Sequence, residues 1–202
     1  MITSAEMKEL ENNCGIPKLQ LMETAGKGIA EEIKKKFPDL KNKKILFVCY
    51  HGNNGGDGFT AARHLCELCE VDILFIGDEG RLKEEAEINY KRILNNEKIQ
   101  ILYDVEDIDF DDYDIIIDAI LGIGIEGKLE DPISPIISQF NSSKAFKIAI
   151  DIPTGLNPDT GIIIDKAVEP DLIITMHDSK PGLEKYKDKT VVVDIGVKQG
   201  GE

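Results

Sequence analysis

The side chains that could do chemistry in this 202-residue chain lie in three polar turns, each of which follows an apolar run. The first turn contains Asn54, the second begins at Asp118, and the third reads Asp-Ile-Pro-Thr-Gly from Asp151. Asn54, Asp118 and Thr154 offer amide, carboxylate and hydroxyl oxygens, which hard cations such as K⁺, Na⁺ or Mg²⁺ prefer. Asp151 stands at the end of a buried run, before a Pro-Thr-Gly turn, and is a candidate general acid–base.

The first turn, His-Gly-Asn-Asn-Gly-Gly-Asp-Gly over residues 51–58, predicts an anion site. A strand precedes it and a helix is predicted from about residue 58 to residue 68, so free N–H groups and a positive helix end would meet there. We expect its glycines to take positive φ and bring the backbone close to a ligand. These are Gly52, Gly55, Gly56 and Gly58.

The second turn carries a Gly-x-Gly-x-x-Gly spacing at residues 122–127, which is a weak signal for a dinucleotide when taken alone. Together with the first turn it supplies two surfaces for phosphate groups and suits a molecule that carries a pyrophosphate. The alternative is that the glycine turns are only connections, and that Asp118 and Asp151 each cap their own loop as Asx-turns.

The elements that must position these turns alternate between strand and helix, which predicts an α/β fold with a parallel sheet. The carboxyl ends of parallel strands lie on one edge of the sheet, and ligands bind where the strand order reverses. If the strands that end at Cys49 and Asp118 flank that reversal, all three turns open into one crevice.

The alternation of apolar runs and polar turns predicts a secondary structure for most of the chain. Strands are predicted at residues 45–49, 71–76, 100–103, 114–118, 147–151, 171–176 and 190–194, and helices at residues 4–14, 17–36, 58–68, 82–94 and 134–140. Residues 104–112 form an acidic connector, which we interpret as a solvated loop. We expect one domain over residues 1–202, with the N-terminal helices of residues 4–36 packed on the sheet. The apolar stripe of the second helix could cover the sheet or form a dimer contact.

The formal net charge of −14, from 24 basic and 38 acidic residues, argues against binding nucleic acid or an anionic membrane surface. No apolar run approaches the roughly 20 residues of a membrane span, and residues 1–30 lack the apolar core of a signal peptide. A cytoplasmic location is the expectation. Cys66-x-x-Cys69 could serve redox chemistry or a metal, but free thiols are the favoured interpretation.

Three basic residues near the turns stay open to more than one role. His51 lies within the glycine turn and could contact a ligand. His64 is expected on a helix surface or in packing. Lys180 follows the strand that ends at Met176, and is either a phosphate contact or a solvated loop lysine.

Seven short motifs, in order along the chain, together resemble the YjeF N-terminal domain, whose enzymatic members are NAD(P)H-hydrate epimerases. The motifs are residues 4–7 (Ser-Ala-Glu-Met), 15–17 (Gly-Ile-Pro), 21–26 (Leu-Met-Glu-Thr-Ala-Gly), 52–58 (Gly-Asn-Asn-Gly-Gly-Asp-Gly), 118–122 (Asp-Ala-Ile-Leu-Gly), 151–156 (Asp-Ile-Pro-Thr-Gly-Leu) and 180–182 (Lys-Pro-Gly). The resemblance implies a Rossmann-like three-layer αβα domain with a mostly parallel central sheet. It also implies interconversion of the R and S forms of hydrated NADH and NADPH (NADHX and NADPHX).

The resemblance further implies a set of site residues. A potassium ion would be bound by Asn54, Asp118 and Thr154, and Asp151 would contact the reacting ring as the catalytic group. The substrate would be held by Asn53, Asn54, Gly55, Gly56, Asp57, Gly122, Ile123, Gly124, Ile125, Glu126, Gly127, Lys128 and Asp151. The mechanism we expect has Asp151, in its acid form, protonate the leaving hydroxide. The expected partners are a second copy of the chain, in a homodimer, and an NAD(P)HX dehydratase.

The chain departs from the family pattern at two positions. Tyr50 stands where a glycine is common, and Ile123 stands where threonine is usual, which removes a hydroxyl near the phosphates. The dehydratase domain fused in some relatives has no counterpart in residues 1–202, so no ATP- or ADP-dependent dehydration is expected. Two rival functions are a non-catalytic scaffold of the same fold and a kinase-like transferase, although no G-x-x-x-x-G-K-[ST] motif is present.

Overall fold

The computed structural model describes residues 1–124, 129 and 131–197, and the part it describes is built on a parallel β-sheet. The strands are β1 (Lys44–Cys49), β2 (Glu70–Phe75), β3 (Ile99–Leu102), β4 (Ile115–Ala119), β5 (Phe146–Ile150), β6 (Leu172–Met176) and β7 (Thr190–Val193). Their order across the sheet is β3-β2-β1-β4-β5-β6-β7, and each neighbouring pair is parallel. The strand order therefore reverses between β1 and β4, where Val48 pairs with Asp118. The predicted α/β class with a mostly parallel sheet is confirmed.

Two of the α-helices in the described ranges precede β1, and three lie between strands in the chain. They are α1 (Ser4–Asn13), α2 (Lys18–Lys36), α3 (Asn53–Leu65), α4 (Glu84–Leu94) and α5 (Ile133–Ser142). Helix α1 begins with a capping box, in which the Thr3 hydroxyl accepts from the Glu6 N–H and the Glu6 carboxylate accepts from the Thr3 N–H. No helix within the described ranges is both long and apolar enough to cross a bilayer.

The side chains of each central strand alternate between two apolar layers. On β1, Ile45, Phe47 and Cys49 point into the layer that α1 to α4 cover, and Leu46 and Val48 point into the layer that α5 covers. All five are fully buried. The sheet therefore lies between two helical layers, which confirms the three-layer Rossmann-like architecture.

The apolar stripe of α2 packs against other parts of the same chain. Leu21, Ala25, Ile29 and Ile33 are buried in the core that α2 shares with the sheet, and the helix packs mainly on α3. Of the two roles predicted for this stripe, the structure shows the first, covering the sheet. The three lysines at the end of α2 lie where positive charge favours the helix dipole.

Two predicted segments differ from the structure. The acidic connector contains two short 3₁₀ turns, Val105–Asp107 and Phe110–Asp112, and is not a purely solvated loop because Phe110 is buried against α5. The second difference is the start of α3. It begins at Asn53, inside the glycine turn, and not near residue 58.

The glycines of the first turn have a role other than the one predicted. No glycine of this turn has a positive φ angle, so the turn does not require a backbone conformation that favours glycine. This holds for Gly52, Gly55, Gly56 and Gly58. A Cβ on Gly55 would lie 1.8 Å from the carbonyl oxygen of Tyr50, and one on Gly58 would lie 2.6 Å from the Cβ of Ala119. These glycines let the first turns of α3 pack directly on the ends of β1 and β4.

Candidate active site

A crevice at the carboxyl edge of the sheet receives side chains from all three polar turns. Its volume is about 460 Å³, and it opens at the reversal between β1 and β4. The three turns contribute Asn53, Asn54, Asp57, Gly122, Ile123, Gly124 and Asp151 to its lining. The remaining walls come from α1, from the start of α2 and from the residues that follow β2 and β6. The strand topology thus brings together groups that are far apart in the sequence.

Asp151 is held at the edge of β5 by a strained turn. Its φ angle is +64°, which is uncommon for any residue except glycine, although Asp and Asn tolerate it better than most. The Ile152 N–H donates to the Ile150 carbonyl at 2.8 Å, which closes a γ-turn around Asp151, and the Asp151 N–H donates to the Ile174 carbonyl at 2.7 Å. A strained conformation that the surrounding bonds fix in this way is typical of functional positions.

Lys180 is the partner of Asp151, a role that sequence reasoning missed. The lysine is 1% exposed, and its ammonium donates to Asp151 Oδ1 at 2.6 Å, to the Thr175 hydroxyl at 2.8 Å and to the Met176 carbonyl at 3.0 Å. It is therefore not a solvated loop lysine, and its ammonium is bound by protein atoms. The signals in the sequence were its position after β6, at the same sheet edge as Asp151, and the Lys-Pro-Gly motif that it opens.

The second oxygen of Asp151 faces the turn after β4. A Cβ on Gly122 would lie 2.9 Å from Asp151 Oδ2 and 3.5 Å from the side-chain oxygen of Asn54. Gly122 thus leaves open the space between these two side chains. The Asx-turn alternative does not describe Asp151, because its carboxylate bonds to Lys180 and Thr175 and to no N–H of its own loop.

Asp118 lies beneath the crevice, fully buried at the end of β4. Its Oδ1 accepts from the Ile120 N–H at 3.1 Å, which is the Asx-type bond, and from the Thr154 hydroxyl at 2.7 Å. Its Oδ2 accepts from the Thr154 N–H at 2.7 Å. Burial raises the pKa of Asp118 to about 6, against the lowering effect of these hydrogen bonds. Within the described ranges no basic side chain forms an ion pair with it.

Asn54 is a buried amide without a hydrogen-bond partner. The residue is 7% exposed, and neither its side-chain oxygen nor its side-chain nitrogen has a partner within the described part of the chain. Buried polar groups are nearly always satisfied, so an orphaned amide on a crevice wall indicates a ligand or ion.

Other predicted site residues lie at different depths. Gly55 and Gly56 are buried under the crevice wall, where they serve packing. His51 lines the crevice and stacks on Tyr50 with ring centroids 3.8 Å apart, whereas His64 bonds to Glu23 at 2.8 Å and lies away from the crevice. Ile125, Glu126, Gly127 and Lys128 lie outside the described residues.

Charged residues that sequence reasoning did not assign to the site also line the crevice. They are Lys8, Glu11, Lys18 and Lys83. Burial, and then the charge of Asp151, raise the pKa of Glu11. Three of the four come from α1 and α2, and nothing in their local sequence indicates which face of these helices meets the sheet edge.

Residues 18–182 match the family model described as "YjeF-related protein N-terminus". An NAD(P)H-hydrate epimerase of Elusimicrobium minutum is 37% identical over 211 residues, covering 97% of this chain and 95% of that protein. One of Nitrosopumilus maritimus is 33% identical and covers 94% of this chain and 90% of that protein.

Longer proteins also match. The bifunctional NAD(P)H-hydrate repair enzyme Nnr of Archaeoglobus fulgidus is 40% identical over 208 residues, which cover 100% of this chain but 42% of that protein. The chain thus spans less than half the length of the bifunctional relatives. The crystal structure of the yeast protein YNL200c superposes with a TM-score of 0.83 at 24% identity, covering 95% of this chain and 86% of the yeast chain, which shows the same fold.

Proposed function

The chain belongs to the family of the YjeF-related protein N-terminus, and on this premise we propose that it interconverts the R and S epimers of NADHX and NADPHX. Relatives of similar length are named NAD(P)H-hydrate epimerase, which supports the proposal. The observation that carries it is the pair formed by Asp151 and buried Lys180, with one carboxylate oxygen turned into the crevice. A strained turn that holds a charged side chain at the sheet edge is typical of a functional position rather than of a scaffold.

The chemistry needs proton transfer at one carbon atom. That carbon bears a hydroxyl next to the ring nitrogen, whose lone pair can expel the hydroxyl once the oxygen is protonated. The resulting iminium ion is planar at this carbon, and water that adds from the other face yields the other epimer. A protein that supplies an acid and a base in a fixed place accelerates both steps.

In this site Asp151 is better suited to the base than to the acid role expected from the sequence. Its Oδ1 forms an ion pair with the buried Lys180 ammonium, and its Oδ2 is the oxygen that faces the crevice. Asp151 Oδ2 would take a proton from the incoming water, and Lys180 would orient the carboxylate without contacting the ring.

The substrate's pyrophosphate would lie along the glycine turn. Within the described ranges no side chain caps the start of α3, so its first N–H groups are available to an anion, and the lysines on the crevice wall add positive charge to a strongly acidic chain. Ile123 in the second turn would contribute apolar contact and no hydroxyl to this region.

A potassium ion is the cofactor we propose. Asn54, Asp118 and Thr154 would hold it, and their oxygens fit a hard monovalent cation. The unpaired Asn54 amide and the buried Asp118 carboxylate, which lacks a basic partner in the described ranges, are what such an ion would satisfy. When bound, the ion would fix the turns and offset negative charge near the phosphates.

Potassium is therefore expected to stabilise the fold. At ten times its dissociation constant the ion would add about 1.4 kcal/mol, or roughly 3 to 6 °C in the unfolding temperature for a domain of this size. Thermal unfolding in potassium chloride and in choline chloride at equal ionic strength measures the difference. Asn54→Ala should abolish the difference and Asn53→Ala, whose side chain is exposed, should keep it. Equal unfolding temperatures in the two salts for the wild-type chain would contradict the potassium site.

The enzymatic proposal has a direct test. A mixed-epimer NADHX pool is incubated with a dehydratase specific for the S form, with and without this protein. We expect rapid consumption of the whole pool only when the protein is present. If the R form disappears at the spontaneous rate in both samples, the chain is not an epimerase, and the same assay with NADPHX covers the second substrate.

The proposed reaction also suggests which proteins this chain works with. An NAD(P)HX dehydratase would consume one epimer, and the relatives named as bifunctional repair enzymes suit such a pairing. A homodimer remains a proposal, for which the exposed Ile162, Ile163 and Ile164 are the candidate contact. The four free thiols suit a reducing compartment, in keeping with the proposed cytoplasmic location.

A further inference from the structure

Asp57 lies between the crevice and a second, smaller cavity. The smaller cavity has a volume of about 80 Å³ and is lined by Glu11, Lys18, Leu21, Met22, Ala25, Asn53, Asp57, Glu85, Met176 and Ile195. Asp57 and Glu11 line both spaces. Because a water molecule occupies about 30 Å³ in the liquid, the smaller cavity has room for at least two.

The Asp57 carboxyl is not used by the fold. It forms no hydrogen bond or ion pair in the described part of the chain, although it belongs to the second turn of α3. One turn earlier on the same helix lies Asn54, whose side chain is buried and unpaired at the crevice wall. Two polar side chains of one helix segment thus face the same space without a protein partner.

The proposed reaction needs a second proton-transfer group. A hydroxyl leaves one face of the ring carbon and water adds to the other face, so one carboxyl group cannot serve both faces at once. Asp151 lies at the sheet edge and is bound to Lys180, which suits it to be the base. Asp57 lies on the helical wall of the same crevice, where no lysine or arginine is bound to it in the described ranges.

We propose that Asp57 is the acid that works opposite Asp151. The Asp57 carboxyl gives its proton to the hydroxyl, the C–O bond breaks, and water leaves while the ring nitrogen's electron pair forms the iminium ion. Water then forms the new C–O bond on the other face and gives a proton to Asp151. The proton returns from Asp151 to Asp57 through solvent in the crevice, which both residues line. This inference rests on the proposed epimerase function.

The surroundings of Asp57 favour its protonated form. Burial raises its pKa well above the usual value, and the negative charges of Asp151 and Glu11 raise it further, while Lys180 opposes them. Two further charged groups line the smaller cavity with it, Lys18 from α2 and Glu85 from α4.

The test compares Asp57→Asn with Glu84→Gln, an exposed acidic side chain of α4 outside both cavities. In Asp57→Asn we expect kcat/KM for epimerisation to fall by about 10²-fold or more, with little change in substrate binding. In the wild-type chain kcat/KM should fall at high pH, where Asp57 loses its proton. The residual activity of Asp57→Asn should lose the fall at high pH. Glu84→Gln should behave as wild type.

A second variant tests the same idea with Asp57 in place. Glu11→Gln removes a negative neighbour, so the high-pH fall should move to lower pH. Wild-type rates in Asp57→Asn, or a high-pH fall that persists in it and does not move in Glu11→Gln, would overturn the inference and leave the epimerase function standing. A wild-type protein that does not epimerise would overturn the function itself, and the inference with it.

Discussion

Replacing Asp151 by asparagine is expected to lower kcat/KM for epimerisation by about 10²- to 10⁴-fold, because it removes the proposed base. Asparagine is the appropriate substitution because it tolerates the φ angle of +64° at this position. Substrate binding should change little. The measurement is the rate of R-to-S conversion in the coupled assay, with Asp188→Asn, an exposed residue remote from the crevice, as the matched control.

This variant also breaks a buried ion pair, so its effect on folding must be separated from its effect on rate. Leaving Lys180 buried without its carboxylate partner should cost about 3 kcal/mol in the free energy of unfolding. In the double variant Asp151→Asn/Lys180→Met much of that loss should be recovered, because no unpaired charge remains. Activity should stay low. A double variant that regains both stability and turnover would show that Asp151 acts only through folding.

Replacing Gly55 by alanine is expected to have the largest effect on stability. The added Cβ would lie 1.8 Å from the Tyr50 carbonyl oxygen, and neither that backbone nor the start of α3 can move without disturbing the junction with β1. We expect a loss of about 3 kcal/mol or more, which for a domain of this size lowers the unfolding temperature by roughly 6 to 12 °C. Calorimetry or circular dichroism on the purified variant measures it.

Gly52→Ala is the matched control, three positions earlier in the same turn. A Cβ there would meet nothing within 4 Å, and the φ angle of −84° suits alanine. Its cost should stay within about 1 kcal/mol, the loss of a favourable helix cap. Equal stability losses at Gly52 and Gly55 would mean that the glycines serve the turn conformation, as the sequence suggested, and not close packing.

Local patterns were sufficient for much of the fold. Buried strands such as β4 are recognisable as short runs of isoleucine, and the capping box at Thr3 is visible in the spacing of two residues. The rule that parallel strands end on one edge was enough to group Asn54, Asp118 and Asp151 in one region. These features depend on neighbours in the sequence or on one general property of the sheet.

Long-range contacts were not predictable in the same way. The Asn-Gly-rich segment reads as a loop, yet it is the start of α3, because glycines permit a helix to lie against β1 and β4 at a distance that no other residue allows. Lys180 gave no local sign of burial, since its carboxylate partner Asp151 meets it only through the pairing of β5 and β6. Glu11 likewise gave no local sign of its place in the site, because it lines the crevice only through the position of α1 at the sheet edge, far in sequence from Asp151.

The reversal of strand order also governs when the site can be assembled. Val48 on β1 pairs with Asp118 on β4, and the chain between them must form β2, α4 and β3 on the other side. Contacts between such distant segments form slowly and late, since the intervening chain must lose its freedom first. During synthesis the glycine-rich segment leaves the ribosome long before its counterpart does, so a nascent chain that ends before Ile115 carries half of a binding site and no reactive centre.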